Sequence, residues 1–381
     1  MKSNYSQNQK STTKEQKFGK TIWEDFRRGD LKRTFRQDFK DIYSFYLDEE
    51  TRKKLDNMGR FKRLLYRVVW IGKSLVLKLT PARRVLLVIA LLTFVFGRSD
   101  AGNADSGVEI NLLFLGFIIL LIILALELKD KLLAQNELAV GRAVQFALLP
   151  KQNPKWPGWE IWLFTRPANE VGGDLVDYLQ IDEKRLGITL GDVAGKGLGA
   201  ALYMAKLQAT LRALAPTYKS FSKLGEQMNT IFCNDGLKNR FVSLVYLELE
   251  PNIGLVRVLN AGHLPPLILR GTTVEEMPHG FPALGIQHEA TYKEQQIRVK
   301  QGELVLAYSD GLTEARNEDG KFYGEQSLFE LLPKLHGLST EALGQRLLQE
   351  VERFTGEARP NDDLSLMLLK YVSHKPNRKN L

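Results

Sequence analysis

The sequence predicts an α+β fold: a domain of antiparallel sheets and interspersed helices, preceded by a transmembrane helical hairpin and a helical linker. Three observations carry that prediction. Two apolar runs, residues 85–97 and 110–126, contain no charged side chain. Residues 127–149 keep a helical spacing of apolar side chains, with no proline before Pro150. From residue 151 onward, short runs rich in β-branched and aromatic residues are punctuated by Gly, Pro, Asn and Asp, the texture of strands in hairpin order.

The chain has 381 residues, 44% hydrophobic and 25% charged. That balance excludes disordered, collagenous and fibrous classes for most of its length, and the length suits two or three domains. Cys233 is the one cysteine, which excludes a disulfide framework and a multi-cysteine zinc site and agrees with a reducing compartment. The net charge of +9 is unevenly spread: residues 1–84 carry 22 Lys and Arg against 10 Asp and Glu, and the rest 31 against 34. A basic segment next to apolar runs points to a membrane surface rather than to nucleic acid.

In chain order, residues 1–80 form a basic cytoplasmic region whose first 20 residues are polar and read as disordered. Residues 21–80 alternate apolar and basic positions, as in FKRLLYRVVW, and read as amphipathic helices. Two membrane helices follow, at about 83–98 and 110–128. The second run, 17 residues without a charge, is roughly 25 Å long at 1.5 Å per residue and spans a bilayer with its flanks. The first, at 13 residues, is short for a span. Charge decides in favour of the hairpin. Asp100, Asp105 and Glu109 lie between the runs, and Arg83, Arg84, Lys129 and Lys131 flank them outside. By the positive-inside rule both ends then face the cytoplasm, as in a multi-pass membrane protein.

Residues 129–150 form the linker, whose apolar spacing suits a homodimer through this helix but covers only two heptads. In 151–372, strands are predicted at 160–166, 175–181, 186–190, 242–249, 255–260, 266–269, 294–299, 303–308 and 364–371. Helices are predicted at 199–214, 221–232, 327–332 and 340–354.

Aspartates recur at the ends of these strands: Asp174 in EVGGD, Asp192 in LGDVAGKG, Asp310 in YSDG, Asp362 and Asp363 in PNDDLS. Any one of these is more often a turn residue than a ligand. Four motifs, each at a strand end, are another matter. Converging carboxylates cannot all ionise without a cation, and oxygen-only ligands select Mg²⁺ or Mn²⁺. GDVAGKGLG lacks the first glycine spacing and the Ser/Thr of a P-loop, so it does not indicate a nucleotide. His263 in NAGHLPP is open to a general-acid or a structural reading, and Arg166 reads as a solvated strand-end residue rather than a phosphate clamp.

The ordered set ELAVGRAVQFALLP, PANEVGGDLVD, LGDVAGKGLGAALYMA, RFVSLVYLELE, NAGHLPPL, LAYSDGLTEARN and NDDLSLMLL, over about residues 137–371, closely resembles the bacterial SpoIIE/RsbU phosphatases. These are PPM-type metal-dependent serine/threonine phosphatases. Residues 1–128 lie outside the resemblance, in a region where that family varies. The resemblance implies an α-β-β-α sandwich with two Mn²⁺ or Mg²⁺ ions at one edge. It implies Asp174, Asp192, Asp310 and Asp362 as catalytic metal ligands, joined by the Val193 carbonyl and by Asp363. Leu175 and Val176 replace the aromatic residues that often follow GGD, and Tyr323 a common phenylalanine; none of these is a carboxylate. The implied substrate is a phosphoserine or phosphothreonine on a cytoplasmic regulatory protein, a STAS-type anti-anti-sigma protein in partner switching. The linker is implied to couple upstream signals to the metal site. The contrasting reading is a catalytically silent membrane scaffold that binds a phosphoprotein through the same fold; the complete aspartate set speaks against it. A nucleic-acid partner lacks recognition motifs.

Overall fold

The computed structural model describes residues 59–96, 112–235 and 240–372. The expected disordered N-terminus, most of the amphipathic region and the acidic loop between the apolar runs lie outside the described residues. The chain divides into two units, Met1–Lys131 and Leu132–Leu381.

In the first unit, α1 (Arg60–Lys78) carries the alternating basic and apolar sequence and ends before Pro81. Helix α2 (Pro81–Phe96) opens on proline, whose missing N–H costs nothing in a first turn. Helix α3 (Leu112–Leu148) is 37 residues long and so crosses the boundary between the units. It is, among the described residues, the one helix long and apolar enough to cross a membrane. Helix α2 runs antiparallel beside it. Arg83, near the start of α2, bonds Glu127 at 2.6 Å and Asp130 at 2.5 Å. Towards the end of α2, Ala90 and Thr93 sit against Gly116, which has no room there for a Cβ. Small residues at such a crossing let two backbones approach. The outward faces stay apolar and exposed, with Val85, Val88, Leu92 and Val95 on α2 and Phe114, Phe117, Leu121 and Leu124 on α3.

The second unit is a four-layer sandwich. One sheet has strand order β1 (Trp159–Arg166), β10 (Leu364–Tyr371), β9 (Leu304–Tyr308), β6 (Leu267–Arg270), β7 (Thr273–Glu276). The other has β2 (Leu175–Gln180), β3 (Leu186–Val193), β4 (Val242–Leu249), β5 (Leu255–Ala261), β8 (Gln295–Arg298). Every strand pairing is antiparallel. Between the sheets lie Ile161, Val305 and Met367 from one and Val176, Ile188, Leu190 and Val245 from the other. Helices α4 (Leu198–Leu214) and α5 (Phe221–Asn234) cover the outer face of the second sheet with Met204, Leu207, Leu224 and Met228. Helices α7 (Gly324–Leu331) and α8 (Thr340–Thr355), with a 3₁₀ turn Leu332–Leu335, cover the first with Leu328, Leu332, Leu343 and Leu347. Because both faces are covered, central strands such as LVLAY and LSLMLLKY are runs of buried residues rather than alternations. Ser220 and Ser339 cap α5 and α8 through Lys223 N and Ala342 N.

The nine strands and four domain helices expected from the sequence are present, with ends shifted by a few residues. Three elements are additional: β7, the four-residue helix α6 (Asp310–Thr313) and the 3₁₀ turn Leu332–Leu335. The TVEE strand has an exposed, charged sequence that no apolar period marks.

Candidate metal centre

Antiparallel pairing brings the aspartates together. Asp174 immediately precedes β2 and Asp192 lies at the end of β3; since Leu175 pairs with Gly191, both stand at one end of their sheet. In the other sheet, Leu366 of β10 pairs with Tyr308 of β9, so Asp310, just after β9, and Asp362–Asp363, just before β10, also share an end.

The groups feel one another. Asp174 is buried, its Oδ2 has no hydrogen-bond partner, and its carboxyl is held well above the usual range, first by burial and then by the charge on Asp192. The hydroxyls of Ser365 and Ser309 pull the other way. Asp192 is pushed up to about 6 by burial and by Asp362, opposed by a hydrogen bond with Asp174 and by Lys196. Asp310 also rises to about 6, through burial, Asp192 and Asp362. Such an oxygen-only set, with a buried oxygen lacking any partner, fits a hard divalent cation.

The carboxylates are neighbours, but among the described residues no three His, Cys, Asp or Glu side chains form one ready ligand cluster. Lys196 meanwhile pairs with Asp362 at 2.8 Å and donates to the Asn361 carbonyl at 2.6 Å. Val193 O lies 3.0 Å from where a Cβ on Gly173 would be, so Gly173 leaves the space that this carbonyl faces.

Asp363 is turned differently from the other four. Its Oδ1 accepts the Ala168 amide at 2.8 Å, and its Oδ2 accepts those of Gly173 at 2.6 Å and Asp174 at 3.4 Å. The carboxylate thereby ties the 361–363 loop to the loop that presents Asp174. Gly172 and Gly311 have no room for a Cβ against Asp363. Ser309 completes the join: its Oγ donates to the Asp363 carbonyl at 3.0 Å and accepts the Ser365 amide at 2.9 Å.

Two contacts at this end carried no role in the sequence. Gln145, near the end of α3, is buried and bonds Gly172 both ways: its Nε2 donates to the carbonyl at 2.7 Å and its Oε1 accepts the amide at 3.1 Å. A single polar side chain among the apolar residues of VQFAL was the available signal. Lys196 sits in the glycine-rich turn that fails as a P-loop, and a lone cation between two aspartate motifs was the signal there. Arg166 pairs with Glu352 at 2.6 Å on an exposed surface, and His263 is buried rather than open to a leaving group.

Comparison with known proteins agrees with this architecture. The sequence matches the family described as Stage II sporulation protein E (SpoIIE) over residues 182–372, half of the chain; Asp192, Asp310, Asp362 and Asp363 fall inside the match and Asp174 just before it. Protein IcfG of Synechocystis sp. is 28% identical over 249 residues, 58% of this chain but 39% of IcfG. Phosphoserine phosphatase RsbU of Bacillus subtilis is 23% identical over 238 residues, 62% of this chain and 70% of RsbU. Two solved structures share the fold. The SiaA-PP2C domain of Pseudomonas aeruginosa superimposes with a TM-score of 0.56 at 16% identity, covering 64% of this chain and 98% of that domain. The RsbU and RsbW domains of Rv1364c from Mycobacterium tuberculosis give 0.52 at 24%, covering 58% and 62%. With its two antiparallel sheets, its outer helices and this match over half its length, the chain belongs to the SpoIIE family of PPM-type protein phosphatases.

Proposed function

We propose that this chain is a membrane-anchored, metal-dependent phosphatase that removes phosphate from phosphoserine or phosphothreonine on a cytoplasmic regulatory protein. The observation that carries the reading is the set of four carboxylates at one end of two sheets, three with proton affinities raised by burial and mutual charge. Asp174, Asp192, Asp310, Asp362 and the Val193 carbonyl would hold two Mn²⁺ or Mg²⁺ ions. Bound there, the ions would supply an acidified water as nucleophile and offset charge on the phosphoryl oxygens. The chain's own work is placement. Asp363 and Ser309 lock the loops that present Asp174, Asp310 and Asp362, and Asp363 belongs to this bracing rather than to the ligands, because three backbone amides already occupy its oxygens. Lys196 balances the Asp362 charge from solvent.

The name of RsbU as a phosphoserine phosphatase supports the substrate class, and a STAS-type anti-anti-sigma protein is the proposed partner. The antiparallel α2–α3 pair with its exposed apolar faces supports a hairpin in the bacterial inner membrane, with both ends cytoplasmic. Exposed Leu132, Leu133, Val140 and Val144 on the linker support a homodimer through that helix.

The test is hydrolysis of a phosphoserine peptide by the full-length chain with Mn²⁺, Mg²⁺ or EDTA. Turnover that requires metal and falls at least ~100-fold in Asp192→Ala is expected. Peptide binding without turnover at any metal concentration would favour the scaffold.

A further inference from the structure

The NAGH turn at the end of β5 is built to fix one ring. Asn260 Oδ1 accepts the His263 amide at 2.9 Å, and Asn260 Nδ2 donates to the His263 carbonyl at 3.1 Å. Gly262 between them has φ +73, and a Cβ there would lie 2.6 Å from Ala283 N. The imidazole is thereby turned inward and buried. Its Nδ1 lies 2.9 Å from Ser243 Oγ. Ser243 stands opposite Asp192 in the β3–β4 ladder, and its hydroxyl reaches the Asp192 carbonyl at 3.4 Å. The ring's Nε2 is buried with no hydrogen-bond partner.

We propose that His263 is a positioning residue of the metal centre, holding the Ser243 hydroxyl beside the Asp192 carbonyl. The inference rests on the metal-site reading above and assigns a residue that reading leaves idle. The His263–Ser243 path ends on the Asp192 carbonyl, at the strand end that presents this ligand. A ring closed off from solvent does not reach a leaving group, which removes the general-acid role. It is suited to fixing the geometry of ligands it does not touch, in the way outer residues orient a metal's donors.

The test is a calorimetric Mn²⁺ titration of the full-length chain, wild type beside His263→Leu and Ser243→Ala, with thermal unfolding of the same samples in EDTA. His263→Leu is expected to weaken Mn²⁺ binding about 10–100-fold and to raise the Mn²⁺ concentration for half-maximal turnover by a similar factor. Ser243→Ala, which leaves the ring in place, is expected to weaken binding several-fold while its metal-free Tm stays within about 2 °C of wild type. Wild-type affinity in either variant overturns the proposal. So does an affinity loss in Ser243→Ala that comes with a large fall in metal-free Tm, since that marks the path as packing alone. If His263→Leu fails to fold, Ser243→Ala decides. A wild-type chain that binds no Mn²⁺ overturns the metal-site reading itself, an outcome distinct from the others.

Discussion

Asp174 illustrates what the site costs a single residue. A buried carboxylate with one oxygen unpartnered and a like charge at hand is kept only where it is needed. Asp174→Asn is therefore expected to stabilise the metal-free chain by about 1–2 kcal/mol while abolishing detectable Mn²⁺ binding; thermal unfolding in EDTA and calorimetry measure the two effects. The same logic sets a pH dependence. Asp192 and Asp310 titrate near 6 in the folded chain and near 4 when unfolded, so between those values the folded state holds more protons. Their contribution to stability is greatest below about 4 and is lost as pH rises through 6. A metal-free Tm that falls between pH 5 and pH 7, with Mn²⁺ opposing the fall at the higher pH, is the expected result. Mn²⁺ affinity runs the opposite way, weakening below pH 6 as protons compete for the ligands.

At the scale of elements, Gln145 joins the end of α3 to the Gly172 carbonyl and amide, two residues from Asp174. Gln145→Leu removes both bonds and leaves the Gly172 groups buried without partners, at a cost of about 1–3 kcal/mol. Its expected signature is a larger Mn²⁺ requirement for turnover, measured by metal titration of activity; an unchanged requirement would show that the end of α3 is dispensable to the site. The strands flanking the aspartates were legible because they are largely buried and rich in apolar residues, as in LVLAY and LSLMLLKY. Strand β7 was not, because TVEE packs little and is read only from its pairing with β6. The strand-end positions of the four proposed ligand aspartates were legible in the sequence. The hydrogen bonds of Asp363 were not, because its partners Ala168, Gly173 and Asp174 lie about 190 residues away in the chain, and a hydrogen bond across that separation leaves no periodic trace. His263 remained open between two roles until its burial against Ser243 stood on the page.

At the scale of the whole molecule, α3 runs unbroken from the apolar run to the residue before Leu149, about 55 Å at 1.5 Å per residue. Its charge-free part carries the exposed apolar residues Phe114, Phe117 and Leu121, and its last turns carry Gln145. A continuous helix transmits rotation, because its turns are bonded to one another and a change of phase at one point turns every residue after it. Inserting residues near Gln135 tests whether activity depends on that phase. One added residue turns the following segment by about 100°, two by about 200° and four by only about 40°. The full-length chain in lipid vesicles is expected to lose or gain most with two residues and to return towards wild type with four, read as turnover at saturating Mn²⁺. Equal activity across the series would separate the membrane segment from catalysis and leave it an anchor. A uniform loss at every length would mean that the insertions damage the helix itself, and the phase dependence would fail with it.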